Sequence, residues 1–135
     1  MFDAKGVDWK DIPEGEPLFR ASADGRGFAV SGGVAQAVVH AVKRIDPERE
    51  VKVVNAEGLQ NCKKMLQMAK AGKYNGYLLE GMACPGGCVA GAGTLQAVKK
   101  AAAALEKMKG EASFTESSDS KYQSRLESLE KFDVE

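Results

Sequence analysis

What most limits the folds open to this chain is an alternation of short apolar runs with longer stretches of helical periodicity. Val34, Ala37, Val38, Ala41 and Val42 recur at the spacing of one helix face, and so do Leu59, Cys62, Leu66 and Ala69. Between and beside them stand three runs that read as strands: Phe28-Ala-Val-Ser31, Val51-Lys-Val-Val54 and Gly76-Tyr-Leu-Leu-Glu-Gly81. Gly32-Gly33, Asp46-Pro47 and Gly72 punctuate the junctions. Strands alternating with helices through short connections indicate βαβ units. The expected fold class is therefore α/β: three layers, with a small, mostly parallel sheet of three strands flanked by helices. An alanine-rich helix over 89–108 follows the third strand.

The ends read differently. Residues 1–26 are polar and broken by Pro13, Gly15, Pro17 and Gly25, with Val7, Trp9, Ile12, Leu18 and Phe19 as docking side chains. They form an N-terminal arm, with Trp9 as its simplest anchor. Residues 27–110 form the α/β domain. After Gly110 a polar linker leads to Tyr122, Leu126, Leu129 and Phe132, spaced for a short amphipathic C-terminal helix, so 111–135 is a linker and helical tail.

Composition excludes several classes. The 135 residues make one domain at most, and a formal net charge of zero gives no nucleic-acid surface. No apolar run approaches the roughly 20 residues that cross a bilayer, so no membrane partner is expected. Met1-Phe-Asp-Ala-Lys5 lacks the apolar core of a signal peptide, which makes the cytoplasm the expected location. Three cysteines are an odd number, ill suited to a disulfide framework, and close thiols in a reducing compartment point to metal binding or catalysis.

The chemistry concentrates in Glu80-Gly-Met-Ala-Cys-Pro-Gly-Gly-Cys-Val-Ala-Gly-Ala-Gly93, where the third strand gives way to the helix. Four of the ten residues from Cys84 to Gly93 are glycine, which removes bulk and opens backbone conformations closed to other residues. Pro85 stiffens the turn between Cys84 and Cys88. The loop leaves the C-terminal end of a strand, the edge where open α/β sheets bind ligands, and free N–H groups at the next helix's start favour an anion such as a thiolate-ligated cluster.

Rival motifs fit less well. Gly86 and Gly91 have phosphate-loop spacing, but Ala92-Gly93 stands where Lys-Ser/Thr is required. A dinucleotide fingerprint needs a glycine at position 96, which is Gln. A thioredoxin-like pair has two residues between its thiols rather than three, and a closed zinc site needs four ligands. The plain alternative is that both cysteines are small buried residues of a tight turn.

Met82-Ala-Cys-Pro-Gly-Gly-Cys88, with the glycines after it, resembles the third cluster-binding motif of the [FeFe]-hydrogenase (iron-only hydrogenase) large subunit, in the C-terminal part of its catalytic domain. Ser31-Gly-Gly-Val34, Val53-Val-Asn-Ala-Glu-Gly-Leu59 and Leu79-Glu80 resemble that family in order and spacing, so the likeness runs from about Val7 to Met108. It implies an H-cluster in the intact enzyme, a [4Fe-4S] cube joined through one cysteine sulfur to a di-iron unit. Cys84 would ligate the cube, Cys88 would be the bridging thiolate, Met82 would lie beside the di-iron unit, and Gly86 and Gly87 would line it. Soft thiolates and a thioether suit iron and sulfur. The implied reaction is reversible formation of dihydrogen from two protons and two electrons, with ferredoxin-like electron carriers as partners.

The same resemblance implies that the family's other two cluster cysteines, its proton-relay cysteine and its cyanide-contacting lysine belong to upstream motifs without counterparts here. The chain is then the C-terminal lobe of a hydrogenase catalytic domain, partnered by an upstream lobe, lacking the cluster and inactive alone. Gly91-Ala-Gly-Thr-Leu95 departs from the family's three glycines followed by Gln-Pro, which leaves the subgroup open. A second class also stands: a non-catalytic iron–sulfur or metal-binding α/β module for sensing or assembly.

Other residues are read more plainly. Cys62 is a packing residue on an apolar helix face. His40 shares a polar face with Gln36 and Lys43 and is expected in solvent. Glu80 enters the loop from a buried strand and must be paired, for instance by accepting loop N–H bonds. Gly32-Gly33 has the form of an anion-binding turn, but close packing of strand and helix is the simpler reason for it.

Overall fold

The computed structural model of the chain describes residues 3–11, 13, 21–120 and 122–123. Ile12, Leu18, Phe19 and the tail residues Leu126, Leu129 and Phe132 lie outside them, as does the side chain of Trp9. Besides short 3-10 turns, the elements in order are α1 (Ala23–Gly27), α2 (Gly33–Ile45), β1 (Lys52–Glu57), α3 (Leu59–Lys70), β2 (Tyr77–Met82) and α4 (Val98–Gly110).

The sheet is parallel, with β1 beside β2 and Lys52 opposite Tyr77 through to Glu57 opposite Met82. The α3 crossover begins directly at Gly58 and closes with a glycine stop. Gly72 takes φ +85°, its N–H donates to Ala69 O at 2.9 Å, and Lys73 N–H donates to Met68 O at 3.0 Å. That pair of bonds satisfies the last carbonyls of the helix. The α2 stop is likewise local, Asp46 N–H donating to Val42 O at 2.8 Å ahead of Pro47.

Neighbouring residues of a strand point to opposite faces of the sheet. Glu80 reaches the start of α2, while the position of a Cβ on Gly81 lies 3.2 Å from Cys62 Sγ on α3. The two helices therefore cover opposite faces, and the fold is the expected α/β arrangement of three layers. Its core is small: Ala35 from α2, Ala56 from β1 and Met65 from α3 are the buried apolar residues among those described.

Three sequence expectations change. Residues 28–31 form the turn between α1 and α2 rather than a third strand. Their backbone groups are already used, with Phe28 N–H on Gly25 O, Val30 N–H on Gly27 O, Ser31 N–H on Gly86 O and Ala29 O accepting from Val89 N–H. The helix expected from residue 89 starts only at Val98, because the chain first makes a 3-10 turn, Cys88–Ala90, and then a second turn held by Thr94, whose N–H and Oγ both donate to Gly91 O. On α3 the apolar stripe is buried only in part: Cys62 and Ala69 are half-buried, Leu59 is 73% and Leu66 60% exposed, and Met65 is the anchor. A two-stranded sheet is too narrow to cover the whole stripe.

Ser22 caps α1, its Oγ accepting from Gly25 N–H at 2.9 Å. This short helix packs against α2 and α4. The buried Arg26 donates to Met108 O near the end of α4, while Ala23 and Asp24 N–H donate to Phe114 O and Thr115 O, each at 3.0 Å. Arg44 of α2 fastens the segment that follows, pairing with Asp119 at 2.7 Å and Glu116 at 3.1 Å. The hydrogen bond to Asp119, then that to Glu116, raises the guanidinium pKa above its ordinary value. Val7, expected to dock, is exposed.

Candidate functional site

Both strands run to the same edge of the sheet, and the cysteine loop leaves from there. Its first step is tied across the sheet by Gly58 N–H donating to Met82 O at 2.8 Å. Cys84-Pro85-Gly86-Gly87 then closes on itself, Gly87 N–H donating to Cys84 O at 2.9 Å. Pro85 and Gly86, the latter at φ +94°, occupy the two middle positions, which is the residue pattern of a type II turn. The 3-10 turn follows at once, with Ala90 N–H on Gly87 O and Gly91 N–H on Cys88 O.

The loop is seated as well as turned. Gly86 N–H donates to Glu57 Oε2 at 2.9 Å, from the last residue of β1. On the other side it lies on the 28–31 turn through Ser31 N–H to Gly86 O at 3.3 Å and Val89 N–H to Ala29 O at 3.1 Å. Gly87 is buried at that contact, where a Cβ would stand 2.7 Å from both Ala29 O and Ser31 N. Only a hydrogen fits.

Cys84 and Cys88 are thus held on one short, stiff loop, and both thiols are free. Cys84 is half-buried, Cys88 is exposed, and Met82 at the strand's end is half-buried. Cys62 stands apart on α3, its thiol donating to Ala56 O at 3.5 Å and Met82 O at 3.6 Å, in keeping with a packing role. The helix-start argument for an anion does not carry over to this loop, since α4 begins well beyond it.

The anion at a helix start is found elsewhere. Glu80, buried on β2, fills the Gly32-Gly33 turn with its own carboxylate: Oε2 accepts from Gly32 N–H at 2.5 Å, and Oε1 from Val34 and Ala35 N–H at 3.1 and 3.2 Å. The expected pairing is present, with α2 rather than the loop supplying the donors. Close packing at the turn holds too, because a Cβ on Gly33 would stand 1.9 Å from Gly27 O. His40 is not simply solvated: its Nδ1 lies 2.9 Å from the buried carboxylate of Asp24, and its Nε2 is 2.7 Å from Gln36 Nε2. The sequence reading missed this bond because Asp24 sits on α1, sixteen residues earlier.

A parallel βαβ unit thus presents two free thiols on a glycine-rich loop at its C-terminal edge, the edge where open α/β sheets bind ligands, and thiolates are donors of the kind that soft metals and iron–sulfur clusters take. Residues 1–92 match the family of the iron only hydrogenase large subunit, C-terminal domain, and the chain belongs to that family. The periplasmic [Fe] hydrogenase large subunit of Nitratidesulfovibrio vulgaris (strain Hildenborough) is 31% identical over 122 residues, a match covering 69% of this chain. It covers 29% of that relative, so the chain spans well under half of the relative's length. Helix α4 and everything after it lie beyond the residues that match the family.

The family implies an H-cluster in the intact enzyme, and the donors here suit part of it. Cys84 and Cys88 carry free, soft thiols of the donor type such clusters use, and the positive-φ glycines between them leave the backbone bare. Among the described residues, no three His, Cys, Asp or Glu side chains gather into a site that could hold a metal ion. Nor is any helix among them long and apolar enough to cross a membrane.

Proposed function

We infer that this chain is the C-terminal lobe of an iron-only hydrogenase catalytic domain and supplies two of the four cysteine ligands of the H-cluster. The observation that carries the reading is the pair of free thiols, Cys84 and Cys88, on a pinned loop at the C-terminal edge of a parallel sheet. That loop lies inside the residues that match the family. Cys84 is the ligand of the cube alone, Cys88 the thiolate shared with the di-iron unit, and Met82 the thioether beside it. When bound, the cluster supplies the reversible interconversion of two protons and two electrons with dihydrogen.

The chain's own residues do the holding. Pro85 and Gly86 fix the turn that joins Cys84 to Cys88. Gly87 lets the loop lie flat on the 28–31 turn, and the bond from Gly86 N–H to Glu57 stops it swinging away from the sheet. The half-buried Cys84 suits a ligand enclosed by protein, and the exposed Cys88 faces outward to where a second lobe would close the site. The missing thiolates come from an upstream lobe, so the isolated chain holds no complete cluster and is inactive. Ferredoxin-like carriers deliver electrons to the assembled enzyme. Three free thiols suit a reducing, cytoplasmic setting, although the relative is periplasmic by name.

Anaerobic reconstitution with iron and sulfide tests this, on the chain alone and mixed with a chain carrying the upstream motifs, with iron content, visible absorption and hydrogen evolution as readouts. Cluster and activity in the mixture alone are expected. A stable cluster on the chain alone would overturn the shared-site reading in favour of an independent iron–sulfur module.

A further inference from the structure

We propose that Glu80 is the positioning residue of the thiol pair: its carboxylate holds the 28–33 turn in the shape on which the cysteine loop lies. Each link is on the molecule. Glu80 is buried, and its two oxygens accept three N–H bonds, from Gly32, Val34 and Ala35. Bonds from backbone N–H to an ionised carboxylate are stronger than neutral ones, and at a helix start the aligned peptide dipoles add to them. Gly32, at φ +91°, is thereby clamped between β2 and α2. Ser31, the next residue back, donates to Gly86 O, and Ala29 O accepts from Val89 N–H, so the clamped turn carries the loop on both sides of Gly87.

The spacing makes this more than a fold contact. Glu80 stands four residues before Cys84 on the strand that feeds the loop, and it reaches back to the turn that the same loop rests on. One side chain thus fixes both the loop's point of departure and its resting place, without touching either sulfur. Asn55, opposite Glu80 in the strand register, lines the same face of the sheet, its Nδ2 3.2 Å from the position of a Cβ on Gly32. Removing the carboxylate frees the turn, and with it the seat of the loop that carries the half-buried Cys84. The functional meaning of this rests on reading Cys84 and Cys88 as cluster ligands, but thiol exposure is measured without iron and holds or fails whatever the thiols bind.

The test is alkylation of the full, metal-free chain by iodoacetamide, with the rate at each cysteine read by peptide mass spectrometry. Glu80→Gln keeps the shape but replaces one acceptor oxygen with an NH2 group. Loss of one such bond corresponds to about a tenfold change in a local opening equilibrium. The expected result is that Cys84 labels about tenfold faster, approaching the exposed Cys88, while Cys62 keeps its rate, since its contacts are with Ala56 and Met82. An unchanged Cys84 overturns the proposal. So does a parallel rise at Cys62, which would mark general loosening rather than positioning. Hydrogen exchange on the unsubstituted chain gives an independent reading should the variant not fold: slow exchange at the Gly32, Val34 and Ala35 amides is expected, and fast exchange there overturns the clamp.

Discussion

Gly87→Ala tests the seat of the thiol loop directly. The glycine has φ +92° and ψ −160°, a backbone region that residues with a side chain barely enter, at a cost of roughly 1–3 kcal/mol. The added methyl also meets Ala29 O and Ser31 N at 2.7 Å and Val30 C at 2.9 Å, all backbone atoms that cannot rotate aside. Overpacking of that kind costs roughly another 1–3 kcal/mol. The sum, about 2–6 kcal/mol, is a large share of the ~5–15 kcal/mol that stabilises an ordinary domain. Gly93→Ala is the control for a positive φ without a clash, because Gly93 has φ +86° with nothing within 4 Å of a Cβ. Urea unfolding followed by far-UV circular dichroism should therefore place Gly87→Ala about 1–3 kcal/mol below Gly93→Ala. If the two variants agree within about 0.5 kcal/mol, the loop lifts off the 28–31 turn without penalty and the contact described is not a constraint.

Gly33→Ala should be harsher still, losing about 3 kcal/mol or more in thermal or urea unfolding, because its Cβ would stand 1.9 Å from Gly27 O where α1 meets α2. Met65→Ala removes the largest buried apolar side chain of the small core and should cost about 2–3 kcal/mol, the lower part of the range for such truncations, measured by the shift in urea midpoint. Cys84→Ser and Cys88→Ser should each leave unfolding within about 1 kcal/mol of the parent while abolishing iron uptake in the two-lobe mixture; iron retained in either variant would remove that cysteine from the ligand set.

Much of this architecture was legible because apolar periodicity reports which segments are helix and which are strand, even where the buried residue of a helix, such as Ala35 on α2, lies outside the apolar stripe. The stripe Val34, Ala37, Val38, Ala41, Val42 became α2, and the runs at 51–54 and 76–81 became the two paired strands. The residues at 28–31 misled because their apolar character serves a turn wedged between two helix ends, a demand that no local pattern encodes. The late start of α4 had a visible signal: Gly91 and Gly93 each weaken a helix by about 1 kcal/mol relative to alanine, which the run of alanines further on obscured. At the site, Cys84, Cys88 and the bare glycines were readable from type and spacing alone. The partners of Glu80 and His40 were not, since Gly32, Val34, Ala35 and Asp24 come from other elements, and only the folded topology puts them within reach.

The bonds from Ala23 and Asp24 to Phe114 and Thr115 have a consequence in time. Helix α1 has only five residues, too few to persist without the neighbours that hold it. During synthesis, the backbone donors at its start wait for acceptors made some ninety residues later. The βαβ unit can form first as a local piece, while the surface joining α1, the end of α4 and residues 114–119 closes only when the late segment arrives. The order in which the ribosome makes these segments is therefore not the order in which they settle: α1, made well ahead of the residues that hold it, is among the last of the described elements to become native.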